Sequence, residues 1–337
     1  MKAWELLYRA FARPAPPDPG YLAELTREAL AVLRGERDEL RPRASDGSPG
    51  GLVRLDRSTA TIILPDLHAR RGFLLSLAAA RMPGGGTTLD ALEAGAVQVL
   101  CLGDGFHAEA RALERWREAY AEWSGGYARR EAMDAEMAES LGLMEMVMLF
   151  KISFPERFHF LKGNHENVLN EEGGGNHSFR KFVLEGDMVA DYMRAFYGEE
   201  ITSLYAGFEK SLPLFAVGGR FLASHAEPAR AYGEDELINA PLLPEVVEGL
   251  TWTDNGAARP GAVRELLARL LPDVERPRFV SGHRTIPSLY RERSEGYHLQ
   301  IHNPNRYVVA WAMPDRDLDP KLDVGEIRAA GPAPARD

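Results

Sequence analysis

The sequence has one cysteine, fewer basic than acidic residues and no long hydrophobic run. Cys101, the single cysteine among 337 residues, lies in an apolar segment, which predicts a buried, unreactive thiol and excludes a disulfide within one chain. No apolar run approaches the ~20 residues that a membrane-spanning helix needs, and the N-terminus lacks a basic segment followed by an apolar signal core. We therefore expect a cytoplasmic protein with no membrane partner.

The charge balance is acidic. Asp and Glu number 50 against 40 Lys and Arg, which gives a formal net charge of -10. A broad basic surface for nucleic acid is therefore not expected, and an anionic substrate would need a local source of positive charge. A hydrophobic content of 45% with 27% charged residues is ordinary for a globular protein and argues against wholesale disorder.

Three regions differ in composition. Residues 1–50 contain two helical patterns separated by prolines, which predict an N-terminal helical extension that ends at a turn-rich joint. Residues 51–315 contain short apolar runs typical of strands and form the main domain, with a helical insertion at about 109–149. Residues 316–337 are predicted to be a partly disordered C-terminal tail.

Two of the strand-like runs end in groups that bind metals. Asp66 and His68 directly follow residues 59–65, and Asp104 follows residues 97–102. Alternate side chains of an extended segment point the same way, so Asp66 and His68 can converge on one ion. A carboxylate beside an imidazole suits a divalent transition metal. The two strand ends place ligands at one edge of a sheet.

Three further strand ends have the same character. Asn164 and His165 follow residues 158–163, His225 follows residues 220–224, and His283 follows residues 278–282. An amide oxygen is a neutral metal ligand, and an imidazole can give or take a proton near neutral pH. Five such strand ends together predict a metal site. The four histidines that lie within strands, at a strand end or in a Gly-rich loop are predicted to be structural: His159, His177, His298 and His302.

These motifs, in this order, resemble the calcineurin-like metallophosphoesterase superfamily. The ordered set is Asp66-x-His68, Gly103-Asp104, Gly163-Asn164-His165-Glu166, Ser224-His225 and Gly282-His283. Residues 151–166, 208–222 and 250–254 are more similar still to its phosphoprotein phosphatase branch, the serine/threonine phosphatase-like enzymes, and the similarity extends over roughly residues 60–312. The resemblance implies an α/β (α+β) fold, a four-layer αββα sandwich of two mixed β-sheets flanked by helices.

The resemblance also implies two divalent metal ions. Mn²⁺ is the expected ion, with iron, zinc or cobalt as alternatives. Asp104 would bridge the two ions, and His283 would join the first. The implied ligands are Asp66, His68, Asp104, Asn164, His225 and His283. His165 cannot easily be a ligand beside Asn164 on the same turn, so it is the predicted general acid. Glu166 is predicted to stabilise the loop.

The sequence departs from the branch after Asp104. His107 replaces an acid that orients the general-acid histidine, and Ala108 replaces an arginine that holds phosphate. Either His107 or Glu109 could then orient His165. The candidate substrate-binding residues are His107, Arg111, Lys162, Arg259 and Arg284. An arginine is the better chemical match, because its planar fork can bind two phosphoryl oxygens.

The insertion at 109–149 contains aromatic and then Met residues at helical intervals. This pattern predicts a hairpin of two helices joined near Gly125 and Gly126. Two roles are open for the hairpin. It could pack on itself or on the sheet, or it could cap the metal site and restrict substrates.

Three functions follow from these expectations. The first is a metal-dependent phosphoric ester hydrolase that cleaves phosphomonoesters with metal-activated water, including a serine/threonine protein phosphatase. The second is a hydrolase of dinucleoside polyphosphates or of another small phosphate anhydride or diester. The third is a non-catalytic metal-binding regulatory protein. A phosphoprotein or small phosphoester is the expected partner; the sequence leaves the oligomeric state open.

Overall fold

The computed structural model describes residues 2–330, and two β-sheets form its centre. The strands β1 to β11 span Leu52–Arg54, Ala60–Leu64, Val97–Cys101, Phe158–Phe160, Phe215–Val217, Phe221–Ser224, Arg278–Ser281, Arg291–Arg293, His298–Gln300, Val308–Ala312 and Val324–Glu326. The helices α1 to α12 span Lys2–Ala12, Pro19–Arg34, Arg71–Ala79, Thr88–Glu93, Leu113–Ser124, Glu131–Ser153, Glu185–Phe196, Gly198–Lys210, Glu234–Ile238, Pro244–Thr251, Ala262–Leu270 and Pro320–Asp323.

Both sheets are mixed, as predicted. The first has the strand order β11-β10-β2-β3-β4, in which β2, β3 and β4 are parallel and β10 is antiparallel to β2. The second has the order β1-β5-β6-β7-β9-β8, in which β6, β7 and β9 are parallel. Parallel neighbours end at the same edge of a sheet, so each sheet has an edge where several strands run into loops.

The alternation of side chains along the strands produces the layers. On β2, Ile63 points to one face and packs with residues of the second sheet such as Val280, whereas Ile62 points to the other face. On β6, Ala223 belongs to the core between the sheets and Leu222 to the outer face. The two sheets therefore share one apolar core, and each needs a helical layer on its outer face.

Helices cover both outer faces. Helices α1 to α8 pack around the outer face of the first sheet, and α9 to α11 pack on the second. The predicted four-layer α/β sandwich is confirmed. Cys101 is fully buried within it, and burial raises the pKa of its thiol. No helix among residues 2–330 is both long and apolar enough to cross a lipid bilayer.

The predicted N-terminal extension forms part of the outer helical layer. Helix α2 begins where Asp18 accepts hydrogen bonds from the N–H groups of Gly20 and Tyr21, a favourable N-cap. The Tyr21 hydroxyl donates to buried Glu145 of α6 at 2.8 Å, and Arg13 pairs with the same carboxylate. Helices α1 and α2 lie in one hydrophobic cluster with α6, so residues 2–34 contribute to the domain core.

The chain after residue 315 is more ordered than predicted. Helix α12 and strand β11 lie in the segment that the sequence assigned to the tail, and β11 pairs antiparallel with β10 at the edge of the first sheet. Strand β11, which the sequence analysis assigned to the tail, thus forms part of the first sheet. Residues 331–337, which carry the rest of the predicted tail, lie outside the described residues.

The helical hairpin is confirmed. Helices α5 and α6 are separated by residues 125–130, and the turn contains Gly125 and Gly126. Trp116 of α5 is fully buried, and its indole N–H donates to the carbonyl of Ala108 at 2.9 Å. The aromatic and Met residues that recur at helical intervals in the sequence thus include core side chains.

Candidate metal centre

The candidate site lies where the parallel strands of both sheets end. Asp66 and His68 follow β2, Asp104 follows β3 and Asn164 follows β4, at one edge of the first sheet. His225 and His283 follow the neighbouring parallel strands β6 and β7 of the second sheet. These six predicted ligands converge because the two sheets pack face to face with these edges together.

The side chains form two groups that share Asp104. Nε2 of His68 lies 3.7 Å from Asp104 Oδ2, and Nε2 of His225 lies 3.3 Å from the same oxygen. Asn164 Oδ1 lies 2.9 Å from His225 Nε2 and 3.0 Å from Nδ1 of His283. Asp104 is thus placed between two positions, as a bridging ligand would be.

The ring of His283 belongs to the second group. Its Nδ1 lies 3.2 Å from His225 Nε2, and Asp104, His225 and His283 form one cluster of candidate ligands. The sequence placed His283 with Asp66 and His68. Its backbone N–H does donate to Asp66 Oδ1 at 3.0 Å, but the ring extends toward Asn164 because the β6 and β7 ends are adjacent.

Two glycines permit the strand ends to approach each other. Gly103 has a φ of +106°, and an added Cβ would lie 2.6 Å from the backbone nitrogen of Gly163. At Gly282 an added Cβ would lie 1.7 Å from Asp66 Oδ1. A larger residue at either position would displace a ligand-bearing loop. This close approach explains why a glycine precedes Asp104 and His283 in the sequence.

Hydrogen bonds fix two imidazoles with one nitrogen toward the site. His68 Nδ1 lies 3.1 Å from the carbonyl of His107, and His225 Nδ1 lies 2.9 Å from the carbonyl of Leu102. Since a carbonyl only accepts, Nδ1 of each ring carries the proton and donates, which leaves Nε2 free to bind an ion. This arrangement is common for histidine ligands of metals.

The site needs positive charge. Asp66 Oδ2 is buried and has no hydrogen-bond partner, which is unfavourable unless another group satisfies it. Burial by itself would lower the pKa of His225, but the charges of Asp104 and Asp66 outweigh it and raise the pKa to about 9. The unpartnered Asp66 oxygen and the negative charges of Asp66 and Asp104 fit divalent ions held by nitrogen and oxygen ligands.

Glu166 holds the Asp104 loop, as predicted. Its Oε2 accepts from the N–H groups of Asp104 at 2.9 Å and Gly163 at 2.7 Å, and its Oε1 accepts from Gly105 at 2.8 Å. Burial and the charge of Asp104 raise the pKa of Glu166. The Asp104 side chain in turn accepts from the backbone N–H of His165 at 2.9 Å. Asp104 and His165 are therefore fixed relative to each other.

His165 contacts a second histidine, His107. Its Nδ1 lies 3.0 Å from Nδ1 of His107, and its Nε2 lies 3.7 Å from Asp104 Oδ2. Of the two residues that the sequence offered to orient His165, His107 makes this contact. Glu109 instead lies 3.7 Å from His68 and pairs with Lys181 at 3.4 Å. Phe179 packs on the His165 ring with a centroid separation of 3.9 Å.

A cavity of about 390 Å³ lies over the two groups. Its lining includes His68, Asp104, Glu109, Asn164, His165, Ser178, Phe179, Arg180, Lys181, Trp252, His283, Arg284 and Thr285. Three cationic side chains, those of Arg180, Lys181 and Arg284, therefore line this cavity. Arg284 pairs with Asp254 at 2.8 Å, which fixes its guanidinium at the rim.

Of the five candidate substrate-binding residues, Arg284 alone lines this cavity. Arg111 pairs with Glu139 at 2.7 Å and borders a neighbouring cavity. Lys162 is buried, and its ammonium donates to the Glu166 carbonyl. His107 is buried behind His165, and Arg259 is exposed at a loop that does not line the cavity. These four side chains thus do not line the cavity over the candidate ligands.

The sequence reasoning missed Phe179, Arg180 and Lys181. They lie in the loop between β4 and α7, whose length and glycine content give no periodic signal. An aromatic residue followed by two basic residues shortly after the Asn164 motif was the signal available. The helical hairpin does not line the cavity with any residue of α5 or α6. Glu136 of α6 instead accepts from the N–H of Ala108 at 2.8 Å, so the hairpin supports the Asp104 loop.

His302 is also placed differently from the prediction. It was predicted to be structural, but it lies in a cluster of candidate ligands with Asp66 and His68. The other three histidines of that prediction lie away from this cluster: His159 faces the carbonyl of Glu156, His177 contacts Glu248, and His298 contacts Ser281.

The comparisons with known proteins identify the fold. No family model and no curated protein sequence matches the chain. A solved serine/threonine phosphatase from Saccharomyces cerevisiae, described as similar to human phosphatase PP5, aligns with a TM-score of 0.58 at 13% identity, covering 94% of this chain and 91% of that one. A cold-active protein-tyrosine phosphatase from a psychrophilic Shewanella aligns with a TM-score of 0.47 at 12% identity, covering 82% of each chain. The chain thus has a fold found in a serine/threonine phosphatase.

Proposed function

We propose that the protein is a phosphoesterase that uses two divalent metal ions to hydrolyse phosphomonoesters. One observation carries the proposal. Two buried groups of metal-ligand atoms share Asp104 beneath a cavity lined by cationic side chains. Carboxylate, amide and imidazole donors suit Mn²⁺, with iron, zinc and cobalt as alternatives. The finer assignment to protein phosphatases is supported by the fold similarity and by the Gly163-Asn164-His165-Glu166 motif.

The proposed roles follow from position. When bound, two divalent ions polarise phosphoryl oxygens and make hydroxide available from water at neutral pH. Asp66, His68, Asp104, Asn164, His225 and His283 would hold them. His165 would protonate the leaving oxygen, because its ring lines the cavity beside Asp104 and the six residues assigned to the ions leave its imidazole available for proton transfer.

Hydrogen bonding and packing hold His165 in place. In the contact between His107 and His165, one Nδ1 must donate and the other must accept. The ring of Phe179 stacks on His107 at 4.6 Å with an interplanar angle of 18° and covers His165 as well. These contacts fix the His165 ring plane, while the family's acid, which would hold a positive imidazolium, is absent. A histidine partner thus orients His165 without adding negative charge.

Cationic residues at the cavity would bind the phosphoryl group. Arg284 is the best placed, because it is held by Asp254 and its planar guanidinium can bind two oxygens. Arg180 and Lys181 line the same cavity. Together they would supply the positive charge that Ala108 cannot provide at the position of the family's arginine.

The experiment is metal-dependent hydrolysis of para-nitrophenyl phosphate and of its bis-ester. The protein is stripped with a chelator and reloaded with Mn²⁺, and wild type is compared with His165→Ala. We expect Mn²⁺ to restore monoesterase activity and the variant to lose at least ~100-fold in kcat, the usual effect of removing a general acid. His159→Gln is the matched control, since this buried histidine lies on β4 away from the cavity. No monoester hydrolysis by the loaded wild type would overturn the proposal.

A second candidate is the hydrolysis of phosphate anhydrides such as dinucleoside polyphosphates. The observation that favours it is the number of cations. Arg180, Lys181 and Arg284 all line one cavity of about 390 Å³, which suits a ligand with more than one phosphoryl group. Comparing kcat/KM for diadenosine tetraphosphate and for a phosphoserine peptide separates the candidates.

A further inference from the structure

His302 is a buried imidazole with no hydrogen-bond partner. It follows β9 and is completely inaccessible to solvent. Neither Nδ1 nor Nε2 makes a hydrogen bond within the described structure. Leaving a buried polar group unsatisfied costs about 1–3 kcal/mol, so the unpartnered Nε2, which faces other buried ligand atoms, requires an explanation.

The ring faces another atom that lacks a partner. His302 Nε2 lies 3.8 Å from Asp66 Oδ2, and that oxygen is also buried and unpartnered. The rings of His302 and His68 are 5.3 Å apart, and ligand atoms of Asp66, His68 and His302 all lie within 4.8 Å of one another. Tetrahedral ligands about 2.1 Å from one ion are separated by about 3.4 Å. The gap between His302 and Asp66 is thus close to the separation that one ion imposes.

We propose that His302 is a protein ligand of the first metal ion. The first ion would then be held by two carboxylates and two imidazoles: Asp66, Asp104, His68 and His302. The second ion would be held by Asp104, Asn164, His225 and His283. This inference rests on the dinuclear centre of the proposed function. It does not depend on which phosphoester the enzyme cleaves.

The competing explanation is an ion pair with Glu109. Glu109 Oε2 lies 3.4 Å from His302 Nε2, and a protonated His302 could donate to it. Glu109 already has a cationic partner in Lys181 at 3.4 Å. A pair with Glu109 would leave Asp66 Oδ2 unsatisfied, whereas a shared ion would satisfy both Asp66 Oδ2 and His302 Nε2. The metal-ligand explanation therefore accounts for more of the unpartnered atoms.

The test is metal affinity, measured by calorimetric titration of the chelator-stripped protein with Mn²⁺ and by metal content after gel filtration. We expect wild type to bind two ions and His302→Gln to bind the first at least ~10-fold more weakly, in the same way as Asp66→Asn. Glu109→Gln should retain both ions. The matched control is His298→Gln, which removes another buried histidine of β9 that contacts Ser281 outside the site.

A second measurement needs no substitution. In the Co²⁺-loaded wild type, each metal-bound imidazole with a ring N–H gives a paramagnetically shifted proton NMR signal. Four such signals are expected if His302 is a ligand together with His68, His225 and His283. Two bound ions with three signals, or a His302→Gln variant with wild-type affinity at both sites, would overturn the inference alone. A wild type that binds no metal would overturn it together with the dinuclear centre, and two bound ions without phosphoester hydrolysis would overturn only the proposed activity.

Discussion

Removing the Glu166 carboxylate should destabilise the fold and loosen the Asp104 loop. The carboxylate accepts hydrogen bonds from three backbone N–H groups, those of Asp104, Gly105 and Gly163. In Glu166→Ala all three become buried donors without an acceptor, at a cost of about 1–3 kcal/mol each. Burial raises the pKa of Glu166, so removing its charge relieves part of this cost. We therefore expect the lower end of the sum, about 3 kcal/mol.

Glu166→Gln should have a smaller effect. If the amide oxygen takes the place of Oε2, it still accepts the hydrogen bonds from the N–H groups of Asp104 and Gly163. The amide NH₂ then faces the N–H of Gly105, which loses its acceptor. One buried N–H group is left without an acceptor instead of three, which predicts a cost of about 1–2 kcal/mol in the free energy of unfolding. Stability should therefore decrease from wild type to Glu166→Gln to Glu166→Ala, and this order tests the number of hydrogen bonds that the side chain accepts.

The assay is urea unfolding of the chelator-stripped protein, followed by circular dichroism. Stripping removes the stabilisation that bound ions would add. If the slope of the free energy of unfolding against urea concentration is the same in wild type and variant, the two proteins expose the same surface on unfolding and differ only in stability. Glu171→Ala is the control. It removes a more exposed carboxylate of the same loop, paired with Lys210 at 2.7 Å, and should cost at most about 1 kcal/mol. A Glu166→Ala protein within 1 kcal/mol of wild type would refute the reasoning.

Further predictions concern substrate binding, the thiol and pH. Arg284→Ala should raise KM for para-nitrophenyl phosphate ~10-fold, because a charge-assisted hydrogen bond to phosphate is worth about 1.5–3 kcal/mol; steady-state kinetics would check this, with exposed Arg264→Ala as the control. Cys101 should not react with a thiol reagent until the protein is unfolded, since it is buried; prompt reaction of the native protein would contradict its placement. Burial raises the pKa of Glu209 from 4.5 to about 8, so the folded state retains a proton that the unfolded state releases. Wild type should therefore lose stability relative to Glu209→Gln as pH rises from about 4.5 to about 8, and parallel stability profiles of the two proteins would contradict this sign.

Much of the fold was accessible from local patterns. Short apolar runs such as residues 97–102 predicted strands, and side chains at 3.6-residue spacing predicted α5 and α6. These signals are local because they depend on which face of a single element is buried. The role of β11 was missed, because its three residues have no strong pattern and acquire their strand structure from pairing with β10.

The arrangement of the loops over the cavity was not accessible. Phe179 and Lys181 lie in a loop that is placed by packing against residues distant in the chain, such as His107 and Glu109. Conversely, Arg259 fits the substrate-binding role by residue type, but its loop does not line the cavity. Residue type gives chemical capacity, whereas the distance between loops determines which residues can act together.

The sequence by itself determined which strand ends carry the candidate metal ligands. Asp66, Asp104 and Asn164 each follow a predicted strand directly, so their position at a sheet edge depends only on local structure. The tertiary structure decided how these groups combine. It placed the His283 ring with His225 and brought His302 to Asp66, because such contacts depend on the register and packing of two sheets whose strands come from distant parts of the chain.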